Sequence, residues 1–129
     1  MIKADPIIAV KDVKKSSKWY QSLLECKSAH GGNEFDILVD DNNEVIICLH
    51  LWGAHGHPTM KDQEITPGNG LLLYLRTDKM ETIRNNAEKI GSTIEEEIHM
   101  NPNSGKKEFS LRDPDGYYLT ITAYHAYEG

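Results

Sequence analysis

Apolar side chains occur along the chain in two patterns, short continuous runs and stripes with helical spacing. Residues 7–10 are a short run rich in β-branched side chains, which predicts a strand. In the following stretch, positions 13, 16, 20, 23 and 24 lie on one face of a helix that Asp12 can cap. The beginning of the chain therefore predicts a strand followed by an amphipathic helix.

Three more strands are predicted after this helix. Residues 28–32 give a weak, polar signal, whereas residues 35–39 and 45–52 are strongly apolar. Residues 40–43 separate the two strong runs and favour a tight turn. Residues 53–69 then contain three Gly and two Pro with no regular apolar period, which indicates a long loop.

The same order of elements is repeated after the loop. Residues 71–75 predict a buried strand, and Asp78 followed by Glu81 resembles a capping box at the start of a second helix. Positions 80, 83, 87 and 90 share one helical face, and Gly91 is placed to end the helix. Three further strands are predicted at residues 93–99, 108–112 and 117–124, the last two joined by a tight turn over residues 113–116.

This internal repeat predicts the architecture. A shift of 67 positions places Val13 on Met80, Tyr20 on Ala87 and Leu23 on Ile90. One helix and four short strands cannot bury both faces of a sheet alone. We therefore expect an α+β fold in which two βαβββ modules form one curved mixed sheet around a cleft, with the helices outside. The predicted single domain covers residues 1–129, with module one at about 3–53, a linker at 54–68 and module two at about 69–126.

Composition and charge argue against several classes of partner. The chain has 129 residues, 14 basic and 20 acidic side chains and a formal net charge of −6. It has no basic stripe that would attract nucleic acid or an anionic membrane. Cys26 and Cys48 form no ligand-spaced pair, and we interpret them as free thiols in a reducing compartment. The first residues contain no apolar stretch long enough for a signal sequence or membrane span, so we expect a cytoplasmic protein.

Two sequence motifs resemble a known family. Residues 10–20 read VKDVKKSSKWY, and residues 112–117 read RDPDGY. Together with the βαβββ repeat, they resemble the vicinal oxygen chelate superfamily, which contains glyoxalase, bleomycin resistance and extradiol dioxygenase-like proteins. The resemblance covers roughly residues 3–124. It implies the fold predicted above, but no single function, because the superfamily contains both enzymes and plain binding proteins.

The same resemblance implies where a metal would be bound. Metal enzymes of this superfamily place one His, Glu or Gln ligand on each of four cavity strands. The corresponding positions in this chain are Asp5, Ile47, Gly70 and Thr120, of which only Asp5 can bind a metal strongly. We therefore expect no metal at the usual site of the superfamily, and no other cofactor.

A histidine-rich segment leaves a second possibility open. Residues 50–58 read HLWGAHGHP and contain His50, His55 and His57. These side chains could form a non-standard metal site, contact a ligand or transfer a proton. They could equally belong to a structural surface loop, because the surrounding Gly and Pro residues predict no element that would aim the rings together.

Strand periodicity separates the predicted cavity wall from the face that packs against the helices. In the last strand, Tyr118 and Thr120 share the cavity side. In the first module, the same rule places Ile47 and Leu49 on the cavity side. The same alternation places His50 on the opposite face, unless the strand ends or bulges there.

The predicted cavity is apolar and aromatic with hydroxyl donors, which suits a partly flat organic ligand. The residues predicted to contact the ligand are Ile47, Leu49, His50, Trp52, His55, His57, Tyr74, Phe109, Tyr118 and Thr120. The resemblance to bleomycin resistance proteins implies a metal-independent homodimer that binds an aromatic or amphipathic metabolite or antibiotic, and no catalytic residue is predicted. The alternative is a glyoxalase-like lyase, isomerase or dioxygenase whose non-standard metal site includes His50, His55 or His57.

Overall fold

The computed structural model of the protein describes residues 1–124. The chain forms two compact units, Met1–Pro67 and Gly68–Gly129. Each unit contains one helix and four strands, so the predicted repeat of βαβββ modules and the α+β class are confirmed. The strands form two four-stranded mixed sheets, one in each module, where the sequence predicted one curved sheet.

The first module begins with β1 (Ile7–Val10) and α1 (Val13–Leu24), as its apolar pattern predicted. Asp12 caps α1 because its side chain accepts a hydrogen bond from the Lys15 backbone N–H at 3.0 Å. The remaining strands are β2 (Lys27–Ser28), β3 (Phe35–Val39) and β4 (Val45–Leu51). Their order is β1-β4-β3-β2, with β1 parallel to β4 and the other neighbours antiparallel.

The segment after β4 is irregular, as predicted, but it is not featureless. Two short 3₁₀ turns, Ala54–Gly56 and Pro58–Met60, follow the strand. The Gly53 backbone N–H donates to the Met60 carbonyl at 2.7 Å, so the segment folds back on its own start. This local closure holds the histidine-rich segment near the end of β4.

The second module contains β5 (Leu73–Thr77), α2 (Met80–Lys89), β6 (Ile94–Met100), β7 (Lys107–Arg112) and β8 (Tyr118–Ala123). Their order, β5-β8-β7-β6, repeats that of the first module. The turn between β7 and β8 is built on Asp113, whose Oδ1 accepts from the N–H groups of Asp115 and Tyr117, each at 2.9 Å. Gly116 supplies the left-handed conformation of this turn, with φ of +91°.

The predicted cap of α2 is wrong, whereas its predicted end is confirmed. The N-cap is Lys79 rather than Asp78, and its side chain makes no capping bond. β5 runs two residues further than predicted, to Thr77, so the Thr77 hydroxyl accepts from the Lys79 N–H at 2.9 Å. At the other end, Gly91 adopts a left-handed φ of +71°, as a helix-terminating glycine does.

Both modules bury large apolar side chains. Those with almost no exposed surface are Val10, Val13, Tyr20, Leu23, Leu38, Ile47 and Leu49 in the first module, and Phe109, Leu111, Leu119 and Ile121 in the second. Within the part of the chain that the structure describes, no helix is long and apolar enough to cross a membrane.

Candidate functional site

In the first module, a buried carboxylate identifies the face of the sheet that packs against α1. The Ser17 hydroxyl on α1 donates to Asp36 Oδ2 on β3 at 2.6 Å. Leu49 lies directly opposite Asp36 across the β3–β4 pair, and directly opposite residues point to the same side of a sheet. Because side chains alternate along a strand, Ile47 and Leu49 share the helix face, while His50 lies on the opposite face. We call this opposite face the far face of the first module.

The prediction that Ile47 and Leu49 line a cavity is therefore wrong. They are 2% and 0% exposed and belong to the core under α1. The predicted faces of β4 are wrong because the strand contains a bulge. Leu38 pairs with Ile47 but Val39 pairs with Val45, which leaves one extra residue in β4. An error of one residue moves every side chain to the opposite face of the sheet.

Three rings surround His50 on the far face of the first module, although the spacing in the sequence predicted no such convergence. The centroid of the buried His50 ring lies 4.8 Å from that of His57, 5.4 Å from that of His55 and 6.2 Å from that of Phe35. His30 extends the group, with its centroid 5.4 Å from that of Phe35. All four contacts are edge-to-face, a favourable arrangement for aromatic rings. We call these five residues the ring cluster.

Hydrogen bonds define how two of these imidazoles are held. His50 Nδ1 lies 2.8 Å from the Leu51 carbonyl oxygen, which can only accept, so this nitrogen donates. In the neutral ring, His50 Nε2 is then an acceptor. His55 Nε2 lies 3.2 Å from Glu34 Oε2. Trp52, which was also predicted to contact a ligand, lies just past the end of β4 and is half-buried.

In the second module, an ion pair joins α2 to β6, and burial along β7 separates the two faces of the sheet. Arg84 on α2 donates to both carboxylate oxygens of Glu97 on β6, at 2.8 Å and 2.7 Å. Because the β6–β7 register is irregular on both sides of Glu96, the faces are followed along β7. Phe109 and Leu111 are fully buried, and Ser110 between them points to the other side of the sheet. The side of the sheet that carries Ser110 is the far face of the second module.

The prediction that Phe109 contacts a ligand is wrong for the same geometric reason. Phe109 lies directly opposite Ile121, which has no exposed surface. Its side chain is fully buried in this core. Tyr74, Tyr118 and Thr120, by contrast, lie on the far face, because Thr120 pairs with Ser110 on one side and with Tyr74 on the other. That they contact a ligand stays a prediction.

Polar side chains continue across three strands of the far face of the second module. The hydroxyl oxygens of Ser110 and Thr120 are 2.9 Å apart and are both buried. At the edge of this layer, the Arg112 guanidinium lies 5.2 Å from the centroid of the Tyr118 ring. This is a cation–π distance, so this aromatic face attracts positive charge.

Glu108 is the most important residue of this face that the sequence reasoning missed. It is 8% exposed. Its Oε2 accepts from the Tyr74 hydroxyl and its Oε1 from the Asn101 amide, each at 3.0 Å. The sequence could have predicted its position. Glu108 precedes the apolar Phe109 in a strand whose register is fixed by the tight turn at Asp113, so the two side chains point to opposite faces. Phe35 was missed because a single aromatic residue at a strand start carries no comparable signal.

Comparison with known proteins assigns the family. The family model of the glyoxalase/bleomycin resistance protein/dioxygenase superfamily matches residues 4–121. The chain belongs to this superfamily. No curated protein matches the chain significantly.

Solved structures of superfamily-like fold resemble this chain over almost its whole length. An integron cassette protein from the mobile metagenome of V. cholerae is 24% identical, with a TM-score of 0.70 over 97% of this chain and 98% of that chain. A virulence protein from Salmonella typhimurium is 20% identical, with a TM-score of 0.71 over 97% and 98%. A bleomycin resistance determinant encoded on the transposon Tn5 is 16% identical, with a TM-score of 0.70 over 98% and 100%. At sequence identities of 16–24%, these similarities show a shared fold and no more.

The strand register corrects the comparison with the superfamily's usual metal positions. Ile7 pairs with Cys48 in the first module, and Tyr74 pairs with Thr120 in the second. Because the shift of 67 positions places Ile7 on Tyr74, the counterpart of Thr120 is Cys48 rather than Ile47. By the same shift, the counterpart of Asp5 is Leu72 rather than the predicted Gly70.

The corrected positions do not fit a divalent metal. Burial raises the pKa of the Cys48 thiol, and the nearby carboxylates of Asp5 and Asp36 add to this effect, which disfavours the thiolate that a metal would need. A leucine side chain has no donor atom, and a threonine hydroxyl is a weak ligand. Among residues 1–124, no three His, Cys, Asp or Glu side chains are placed to hold a metal ion.

Proposed function

We propose that this protein binds a small amphipathic organic molecule on a far face of one of its sheets, without a bound metal. The observation that carries this proposal is the polar, largely buried far face of the second module. Glu108, Ser110 and Thr120 are each less than 9% exposed, and they occupy sheet positions that apolar side chains fill when a face serves only for packing.

The far face of each module has its own chemistry, and each is a candidate surface for such a molecule. The ring cluster of the first module provides apolar edges and imidazole nitrogens, which suit a flat or aromatic group. The second module provides hydroxyls, a carboxylate and the ring of Tyr74, which is 37% exposed. The bleomycin resistance determinant of Tn5 shares this fold, so an antibiotic is one ligand class to include in a screen, together with aromatic metabolites.

A thermal-shift screen in the presence of EDTA tests the proposal. A ligand of the native state raises the unfolding midpoint by mass action, and the shift should be the same with and without the chelator. Thr120→Val should reduce the shift because it removes one hydroxyl of the far face at constant volume. Thr82→Val, on the exposed surface of α2, should not. A library without any hit, or a shift abolished by EDTA, would contradict the proposal.

A metal-dependent lyase, isomerase or dioxygenase is the second candidate function. It is favoured by one observation, the approach of the His55 and His57 rings to within 5.4 Å and 4.8 Å of His50, centroid to centroid. Measurement of bound zinc, nickel, manganese and iron per chain separates the two candidates. We expect substoichiometric metal; one tightly bound metal per chain, lost in His55→Ala or His57→Ala, would establish the second candidate instead.

We also propose a cytoplasmic homodimer in which both modules belong to one domain. Apolar side chains at Ile7, Leu72 and Met100 are 48%, 51% and 56% exposed, and a contact with a second copy that covered any of them would remove apolar surface from water. Cys26 and Cys48 form no disulfide, as expected in a reducing compartment. Light scattering should give twice the mass of the chain; a monomer at all accessible concentrations would contradict the dimer.

A further inference from the structure

The buried carboxylate on the far face of the second module has only neutral hydrogen-bond donors. Glu108 accepts one bond at each oxygen, from the Tyr74 hydroxyl and from the Asn101 amide. The side chain keeps 11% of its surface exposed. The nearest ionisable donor is His99, whose Nε2 is 3.8 Å from Glu108 but only 3.2 Å from Glu96. Within residues 1–124, no lysine or arginine makes an ion pair with Glu108.

A second, independent observation lies directly across the sheet from this carboxylate. Thr122 pairs with Glu108 in the β7–β8 ladder and therefore points to the same face. It has no exposed surface, and in the described part of the chain its hydroxyl oxygen has no hydrogen-bond partner. An unsatisfied buried hydroxyl costs free energy, so such groups in native proteins usually bind water or a ligand.

A donor with positive charge would complement these two side chains. A carboxylate accepts about four hydrogen bonds, and Glu108 receives two from the described residues. Burying an ionised carboxylate is costly unless it is paired with a cation. An ammonium group has three donors and one positive charge, so it satisfies both Glu108 oxygens and the Thr122 hydroxyl together. One tyrosine ring of this face already has a cation near it, since the Arg112 guanidinium lies 5.2 Å from the centroid of Tyr118.

We infer that the far face of the second module binds the protonated amino group of the ligand, through Glu108 and the hydroxyl of Thr122. Tyr74 holds the carboxylate in place and presents its ring to the apolar part of the same molecule. This inference rests on the proposed function, and it narrows the ligand class to amphipathic amines.

Three fragments that share a phenol ring test this inference: tyramine, its neutral alcohol tyrosol, and 4-hydroxyphenylacetate. Titration into ¹⁵N-labelled protein, followed by amide chemical shifts, measures both the position and the affinity of weak binding. We expect tyramine to shift the amides of Glu108 and Thr122 and to bind about tenfold more tightly than tyrosol, a difference of about 1.4 kcal/mol. The carboxylate fragment should be the weakest of the three.

Variants identify the group responsible for the preference. Glu108→Gln keeps the side-chain volume and should bring the affinity for tyramine down to that for tyrosol, whereas Glu108→Asp, which keeps the charge, should retain part of the preference. Thr122→Val should weaken tyramine binding several-fold. Glu81→Gln, on the exposed first turn of α2, is the matched control and should change nothing. An unchanged unfolding midpoint in Glu108→Gln verifies that the variant is folded.

Three results would overturn the inference. Equal binding of tyramine and tyrosol would show that the positive charge does not contribute to affinity. A preference for tyramine that survives in Glu108→Gln would show that this carboxylate does not recognise the charge. If none of the three fragments shifts any resonance at millimolar concentration, the inference also fails. The proposed function is judged separately by the library screen, since a neutral ligand found there would leave small-molecule binding intact.

Discussion

Replacement of Asp36 by alanine should destabilise the first module strongly. This buried carboxylate accepts from the Ser17 hydroxyl at 2.6 Å, from the Ser28 hydroxyl at 2.7 Å and 2.8 Å, and from the backbone N–H groups of Gly31 and Ile37 at 2.8 Å each. It therefore joins α1, β2 and the following turn to β3. Alanine at this position leaves all these donors without their acceptor.

The magnitude follows from the unsatisfied donors. Loss of a buried partner costs about 1–3 kcal/mol for each group left unpaired, and Asp36 serves several such donors at once. We therefore expect Asp36→Ala to lower the free energy of unfolding by about 3–5 kcal/mol. Asp36→Asn should cost less, about 2 kcal/mol, because an amide oxygen can still serve Gly31 and Ile37. The Ser17 hydroxyl, which already accepts from Gln21 at 2.9 Å, would then lose its acceptor.

The destabilisation should depend on pH in a defined direction. Burial alone would raise the pKa of Asp36, but the hydrogen bonds from Ser17, Gly31, Ser28 and Ile37 outweigh it and hold the pKa below its usual value. A carboxyl with a lowered folded-state pKa stabilises the protein above its unfolded pKa of about 3.9 and loses this contribution as the pH falls through the folded value. The difference between wild type and Asp36→Asn should therefore be full at neutral pH and shrink below about pH 4.

Urea unfolding at a series of pH values measures these differences. Asp62→Asn is the matched control, because Asp62 is exposed and accepts only a local bond from the Glu64 N–H at 3.0 Å. It should change the free energy of unfolding by less than about 0.5 kcal/mol. Equal stability of Asp36→Asn and wild type at neutral pH, or a gap that does not change with pH, would refute the reasoning.

Three further predictions concern the core, a helix cap and a thiol. Phe109→Ala should lower the free energy of unfolding by about 3–5 kcal/mol, since the ring is fully buried. A loss below about 1 kcal/mol in urea unfolding would contradict this core position and favour a role in ligand binding. Asp12→Ala should cost about 1 kcal/mol through the lost bond to the Lys15 N–H, and no change in the thermal midpoint would refute this cap. Burial raises the pKa of Cys26 to about 11, so Ellman's reagent should modify it at pH 8 only after unfolding; rapid reaction in the native state would contradict its burial.

The sequence was most informative where pattern and local chemistry agree. The apolar stripe and Asp12 predicted the start of α1, and the internal repeat predicted α2 at the corresponding position, because one-sided burial imposes the helical period. The tight turn at Asp113 fixed the register of β7 against β8, so the far-face positions of Tyr118 and Thr120 could be derived.

Other features depend on contacts that no local pattern encodes. The extra residue in β4 reversed the faces of Ile47 and His50, and a bulge of this kind arises from strand pairing rather than from composition. Convergence of His55 and His57 on His50 depends on two 3₁₀ turns in a segment without periodicity. The role of Glu108 emerges only when Tyr74 and Asn101, distant in sequence, are brought to it by the sheet and the β6–β7 turn.

Mapping of a bound ligand by amide chemical shifts, on protein treated with EDTA, tests the central claim most directly. With a hit from the thermal-shift screen, we predict saturable shifts at far-face residues, either Tyr74 and Thr120 in the second module or His50 in the first, and none centred on Ile47, Leu49 or Phe109. Loss of all binding after removal of metal, or shifts confined to the helix faces of the sheets, would contradict the account.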